Sequence, residues 1–268
     1  MRFTSKIKLW IIAPLLFVSC GNDNKEARLY LENIRKICQQ GDYAAAEQKI
    51  DSIQILYPKA FEQIKEGLKM LREVRWAQNT RQIIVCDSLI GFLTPKIDSL
   101  KQYFTYDINK EYQETGRFLP KGFPSNLSAA ALRAGVEENG QLFIESVFTG
   151  GGFHNQASAS MPNGFFVETL PVNDDGLNFR YSDSGKQYEI IKFSGADENG
   201  LARFIYAYSD MPMSITLKGK NVHTFPLSKT AQKGIADSYL LSLWMQQADS
   251  LKQVKEKTEM LIQYLKEK

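Results

Sequence analysis

The chain has 268 residues, 33 basic and 30 acidic, for a formal net charge of +3, and 43% of them are hydrophobic. That is ample material for one large or two smaller cored domains. Two histidines and three cysteines leave little for a transition-metal site, which needs three or four converging ligands.

At the start, Arg2, Lys6 and Lys8 make a basic zone, Leu9 to Val18 an apolar one and Ser19-Cys20 a small-residue junction, the order of a secretory signal. The apolar run is about half of the roughly 20 residues a spanning helix needs, and Pro14 interrupts it. Leu15-Leu16-Phe17-Val18-Ser19-Cys20 resembles the lipobox of bacterial lipoproteins, with Phe17 where that family usually has Leu. The resemblance implies a diacylglycerol on the Cys20 sulfur and an acylated Cys20 amine, several chains that together hold a membrane far better than one. Gly21 and Asn22 resemble outer-membrane rather than inner-membrane sorting residues. Residues 1–19 are therefore expected as signal peptide and 20–26 as a lipidated tether. Removal of Arg2, Lys6 and Lys8 leaves 30 basic against 30 acidic residues, so the mature chain has no electrostatic footprint for nucleic acid. Cys38 and Cys86 remain, and their helical apolar patterns predict thiols in a core rather than a disulfide.

Helical periodicity begins at Leu29, Ile34, Ile37 and Cys38, stops at Gly41-Asp42, and resumes with Tyr43, Ala46, Ile50 and Ile53 until Pro58. This predicts a helical hairpin. The stretch Gly41-Asp42-Tyr43-Ala44-Ala45-Ala46…Tyr57-Pro58 resembles part of a tetratricopeptide unit, but no further repeat follows. Next, Trp76, Asn79, Ile83, Cys86, Ile90, Leu93, Ile97, Leu100 and Phe104 step by three and four, a coiled-coil-like seam. Its phase persists across Pro95, which predicts a kink rather than a reversal. A second seam follows Leu240, Trp244, Gln247, Leu251, Val254, Thr258, Leu261 and Leu265. The two seams are expected to pair antiparallel, with Trp244 near Leu100.

Between them the period falls to two. Leu142-Ile144, Phe166-Glu168-Leu170, Tyr188-Ile190 and Phe204-Tyr206-Tyr208 read as strands, punctuated by turns such as Glu138-Asn139-Gly140, Pro162-Asn163-Gly164, Asp174-Asp175-Gly176 and Lys218-Gly219-Lys220. Seven or eight antiparallel strands in a sandwich or curved sheet are expected. The fold class is thus α+β: an outgoing helical stem over 27–115, a β domain over 116–227, and a returning helix over 228–268 that completes the stem.

One loop is unusual. Gly150-Gly151-Gly152-Phe153-His154-Asn155 sets three glycines, whose backbone can approach a ligand closely, before a histidine and an asparagine. It is not a phosphate-binding loop, since no Gly-Lys-Ser/Thr follows, and it reads first as a strand connection and second as a candidate ligand loop. Phe153, Phe165, Phe166, Phe179, Tyr181, Tyr206 and Tyr208 are expected mainly as core rings, although exposed rings of this kind stack on sugars. No motif for serine, cysteine or metal catalysis is present, and no cofactor is expected. The leading expectation is a non-enzymatic envelope lipoprotein with an interaction or scaffold role, bound to the membrane through Cys20 and to an unidentified protein or glycan partner. A glycan-binding lipoprotein is the alternative. An envelope hydrolase ranks third, and would need His154 or His223 beside a carboxylate and a nucleophile.

Overall fold

Among the described residues, helices come first and last, and strands with one short α-helix fill the middle. The computed structural model describes residues 22–111, 114–124, 129–150, 153–173, 178–183 and 186–267. The signal sequence, Cys20, Gly21, Tyr112, Gly151, Gly152 and the Asp174-Asp175-Gly176 turn lie outside the described residues. In order, helices α1 (Asn22–Gln39), α2 (Tyr43–Leu56) and α3 (Phe61–Lys101) lead to strands β1 (Phe104–Asp107), β2 (Arg117–Pro120), β3 (Ala131–Glu137) and β4 (Leu142–Thr149). Strands β5 (His154–Ser160), β6 (Phe166–Glu168), β7 (Phe179–Asp183) and β8 (Lys186–Ser194) follow. Helix α4 (Leu201–Ala207), β9 (Ser214–Gly219), β10 (Val222–Pro226) and α5 (Lys229–Glu267) complete the chain.

The chain forms two compact units, one of residues 1–84 with 257–268 and one of 85–256, the boundary falling inside α3 and α5. In the first, α1 and α2 make the expected hairpin. Gly41 turns it at φ +79°, a left-handed angle that favours glycine, and the Asp42 carboxylate caps α2 by accepting from the Ala45 N–H at 3.1 Å. Leu31, Ile34, Ala46, Ile50, Ile53 and Val74 form its core. Cys38 is half-buried here, and Cys86, in the second unit, is buried; both remain thiols.

In the second unit α3 runs through Pro95 without reversing. Leu93, Ile97 and Leu100 pack with Leu241, Trp244, Ala248 and Leu251 of α5, and Lys255 pairs with Asp87 at 2.6 Å, so the two helices run antiparallel with Leu100 beside Trp244 as expected. The α5 stripe itself is corrected. Gln247, Val254 and Leu261 are exposed, and the buried row takes Leu241 and Ala248 together with Trp244, Leu251 and Thr258. A 3–4 pattern constrains alternate positions only to within one residue, and Ala248 rather than Gln247 joins the apolar cluster with Leu93 and Ile97.

The strands form two antiparallel sheets, β1-β2-β3-β4-β8-β7 and β10-β9-β5-β6. They share one core: Leu132, Ile144, Ile191 and Phe193 from the first, Ala157, Ala159, Ile215 and Leu217 from the second, with Leu201 and Ile205 of α4 and Ile235 of α5. Ten strands are present among the described residues rather than seven or eight, and one of them, β1, lies within the 27–115 stretch expected as helical stem. The Phe204-Tyr206-Tyr208 alternation is not a strand. It lies on α4, whose buried residues Leu201, Ala202 and Ile205 have helical spacing, and the Glu198 carboxylate holds the helix start by accepting from the Gly200 and Ala202 N–H groups.

Phe193 is completely buried in the shared core. Phe193→Ala leaves a cavity there and is expected to lower unfolding free energy by about 3–5 kcal/mol. Urea denaturation measures it, and a loss below about 1 kcal/mol contradicts the packing described.

Candidate functional site

Polar side chains distant in sequence meet between the two sheets. Alternation along β4 turns Ile144, Ser146 and Phe148 to the face that meets the second sheet, and the pairs Ser146–Ile191, Phe148–Glu189 and Arg180–Glu189 carry that face across β8 to β7. His154 arrives from the second sheet as the first residue of β5. The register of β5 against β9 shifts between His154 and Gln156, a bulge that re-aims the side chain. A Cβ on Gly219 would run into the Phe153 carbonyl and the His154 Cα, so this close approach of β9 requires glycine.

The Ser146 hydroxyl lies 2.6 Å from His154 Nε2, and the His154 Nδ1–H donates to Glu189 Oε2. Facing a carboxylate, Nδ1 carries the proton, which leaves Nε2 to accept from Ser146. Glu189 also accepts the His154 backbone N–H at 3.0 Å and Arg180 Nε at 2.6 Å, while Arg180 Nη2 donates to the His154 carbonyl at 3.3 Å. Ser146, His154 and Glu189 are 0%, 2% and 4% exposed. Burial alone pushes the Glu189 carboxyl up, but the hydrogen bonds from the His154 ring, from Arg180 and from the His154 backbone N–H outweigh it and hold the group below its ordinary value.

Hydroxyl, imidazole and carboxylate stand here in the order of nucleophile, base and orienting acid. Acyl transfer further requires a substrate carbon about 3 Å from the hydroxyl, with oxyanion donors facing it. Ser146 has no exposed surface and lies between Leu132 and Ile191 on the neighbouring strands. In this conformation the arrangement fastens one sheet to the other.

Above it, Arg180 enters a groove of about 160 Å³ whose lining includes Phe148, Gly150, Phe153, Ser182, Gln187 and Glu189. Its guanidinium lies 4.8 Å from the Phe153 ring centroid. Of the candidate loop, Gly150 and Phe153 line this groove, His154 is buried beneath it, and Asn155 is exposed, its carbonyl accepting from Val172 at 2.9 Å. The connection is shorter than expected, because β5 already begins at His154. The His223 ring makes tilted contacts with Phe148 at 5.0 Å and with Phe225 at 5.9 Å.

The expectation of core rings is overturned for Phe153, Phe165, Phe166, Phe179, Tyr181, Tyr206 and Tyr208, all of which are exposed. Alternation places Phe179 and Tyr181 on the face of β7 opposite Arg180, where Tyr181 stacks on Tyr188 at 4.7 Å and 10°. These rings satisfy their contacts with one another across the sheet surface, a solution open to aromatics without full burial.

Sequence reasoning missed Ser146, Glu189 and Arg180. Their signal was the interruption of an inward apolar row: Ile144-x-Ser146-x-Phe148 and Glu189-x-Ile191-x-Phe193 each place one polar group where the period demands a buried side chain. Among the described residues no three His, Cys, Asp or Glu gather as a metal cage, and no helix is long and apolar enough to cross a membrane. No family model, curated protein or solved structure matches the chain.

A carboxyl held below its ordinary 4.5 contributes stability that is complete above that pH and lost as pH falls through the lower folded value. Glu189→Gln is therefore expected to lower Tm at neutral pH and to flatten the decline of Tm between about pH 5 and about pH 2. Thermal melts across that range check it. Parallel curves for variant and parent refute the assignment.

Proposed function

We propose that the chain is a cell-envelope lipoprotein, retained at the membrane by lipid on Cys20, whose β-rich unit is a non-catalytic binding module. The observation that carries the reading is the groove at Phe153: an exposed ring, a guanidinium already oriented by Glu189, and the Ser182 and Gln187 side chains at one strand end. Such preorganisation lowers the entropy lost on binding. The Gly21-Asn22 pair after Cys20 supports the outer membrane as destination over the inner one. The helical unit serves as the tether-proximal scaffold in this reading, since it follows Cys20 directly in the chain.

Envelope hydrolysis is the second reading, and Ser146–His154–Glu189 is the specific observation that favours it. It demands that the sheets part to admit substrate, because Ser146 is completely buried.

Cys20→Ala is expected to move the protein from the membrane to the soluble fraction of fractionated cells, and unchanged retention removes the lipid anchor from the proposal. A fluorophosphonate probe separates the two readings. The binding module predicts no labelling of the native protein, whereas labelling that disappears in Ser146→Ala establishes a reactive serine and replaces the first reading by the second.

A further inference from the structure

We infer that the Phe153 groove is a subsite for one ring of an uncharged carbohydrate. The inference rests on the reading of the β-rich unit as a binding module and supplies its ligand class.

Size sets the first limit. About 160 Å³ is well below the roughly 300–1,000 Å³ of pockets that enclose drug-sized ligands and cofactors, so one small ring fits. Charge sets the second. Arg180 is the one cation lining the groove among the described residues, and Glu189 lies 2.6 Å from its Nε, so the two formal charges cancel. An anionic group would meet a neutral pair and would have to give up its hydration without a compensating charge. The polar groups supply the third. Ser182 and Gln187 are directly opposed across the β7–β8 ladder, line the groove, and are both exposed. A hydroxyl and a carboxamide together offer donors and acceptors of both kinds, which suits a rim of hydroxyl groups that also donate and accept.

The ring of Phe153 completes the chemistry. It is 54% exposed while Arg180 lies against it, so an apolar surface remains open beside the polar rim. A pyranose has the complementary division, C–H bonds on its faces and hydroxyls around its edge. The chain of hydrogen bonds from Ser146 through His154 and Glu189 keeps Arg180 in place, making His154 and Glu189 positioning residues for the subsite.

The full-length protein in detergent is titrated with four neutral tetrasaccharides, built from glucose, mannose, galactose and N-acetylglucosamine, using saturation-transfer NMR. At least one is expected to bind, with a Kd on the order of 1 mM for a single-ring contact. Phe153→Ala and Gln187→Ala are each expected to weaken it about tenfold or more, while Phe165→Ala, exposed beyond the far end of β5, leaves it unchanged. Circular dichroism melts confirm that these surface variants fold. Affinity should stay within about twofold between about 50 and about 500 mM salt, because charge pairing contributes little. The inference is overturned by absence of transfer from all four sugars, by binding that survives Phe153→Ala, by a salt-sensitive preference for a glucuronate oligosaccharide, or by tighter binding of adenosine. None of these outcomes alters the membrane retention of Cys20 or the fluorophosphonate result, so failure of the ligand class is distinct from failure of the anchored module.

Discussion

A carboxylate buried between two sheets constrains everything near it, because the charge must be met by donors in fixed directions or the fold loses several kcal/mol. Glu189 is met from three sides: by the His154 backbone, by the His154 ring, and by Arg180 on the adjacent strand. Both His154 groups belong to the four-stranded sheet, and Arg180, like Glu189 itself, to the six-stranded one. Apolar residues of the shared core, Ile191 and Ile215 among them, bring the sheets together without specifying their alignment, since hydrophobic attraction has no preferred direction. The polar chain does have one. It accounts for the bulge at His154, which aims the imidazole, and for Gly219, which lets β9 lie against the bulge.

The same chain prepares a surface. A long arginine ordinarily gives up about 2 kcal/mol of side-chain freedom when a ligand immobilises it. Here the guanidinium is already held by Glu189 and by the His154 carbonyl, with Phe153 over it. What the core requires for its own satisfaction therefore orients a group at the rim. The opposite face of β7 obeys a different rule. Phe179 and Tyr181 of β7 pack with one another and Tyr181 stacks across the ladder on Tyr188, ring contacts that add rigidity at the edge of the sheet, while Tyr181 and Tyr188 also border the groove.

How much can be read from the residues follows the range of each interaction. The helical hairpin is legible because Gly41-Asp42 and Pro58 are local stops, and the α3–α5 pairing because two 3–4 seams need partners. Turns at Gly140 and Gly164 are legible for the same reason: each has positive φ, with an asparagine just before it accepting a backbone N–H. The phase of α5 is not, since a 3–4 pattern does not choose between Ala248 and Gln247. Helix α4 reads as a strand because aromatic alternation at Phe204, Tyr206 and Tyr208 outweighs the helical spacing of Leu201, Ala202 and Ile205. Glycines and a histidine mark the candidate loop. Nothing marks its partners, because Ser146 and Glu189 reach His154 through strand register, a quantity that single residues do not encode.

Register also explains how a constellation associated with acyl transfer can serve packing. Activation of a serine needs a base that accepts its proton and an acid that orients the base, and Ser146, His154 and Glu189 meet both conditions. Burial needs the same hydrogen bonds for another reason, to compensate three polar groups removed from water. Exposure separates the two roles. With Ser146 seated between Leu132 and Ile191, any path to its hydroxyl must open the apolar core on either side and break the Arg180–Glu189–His154 chain that holds the sheets in line. The bonds that would activate the hydroxyl are thus bonds that burial also requires, and the network's end at Arg180 is where the chain of donors reaches the groove.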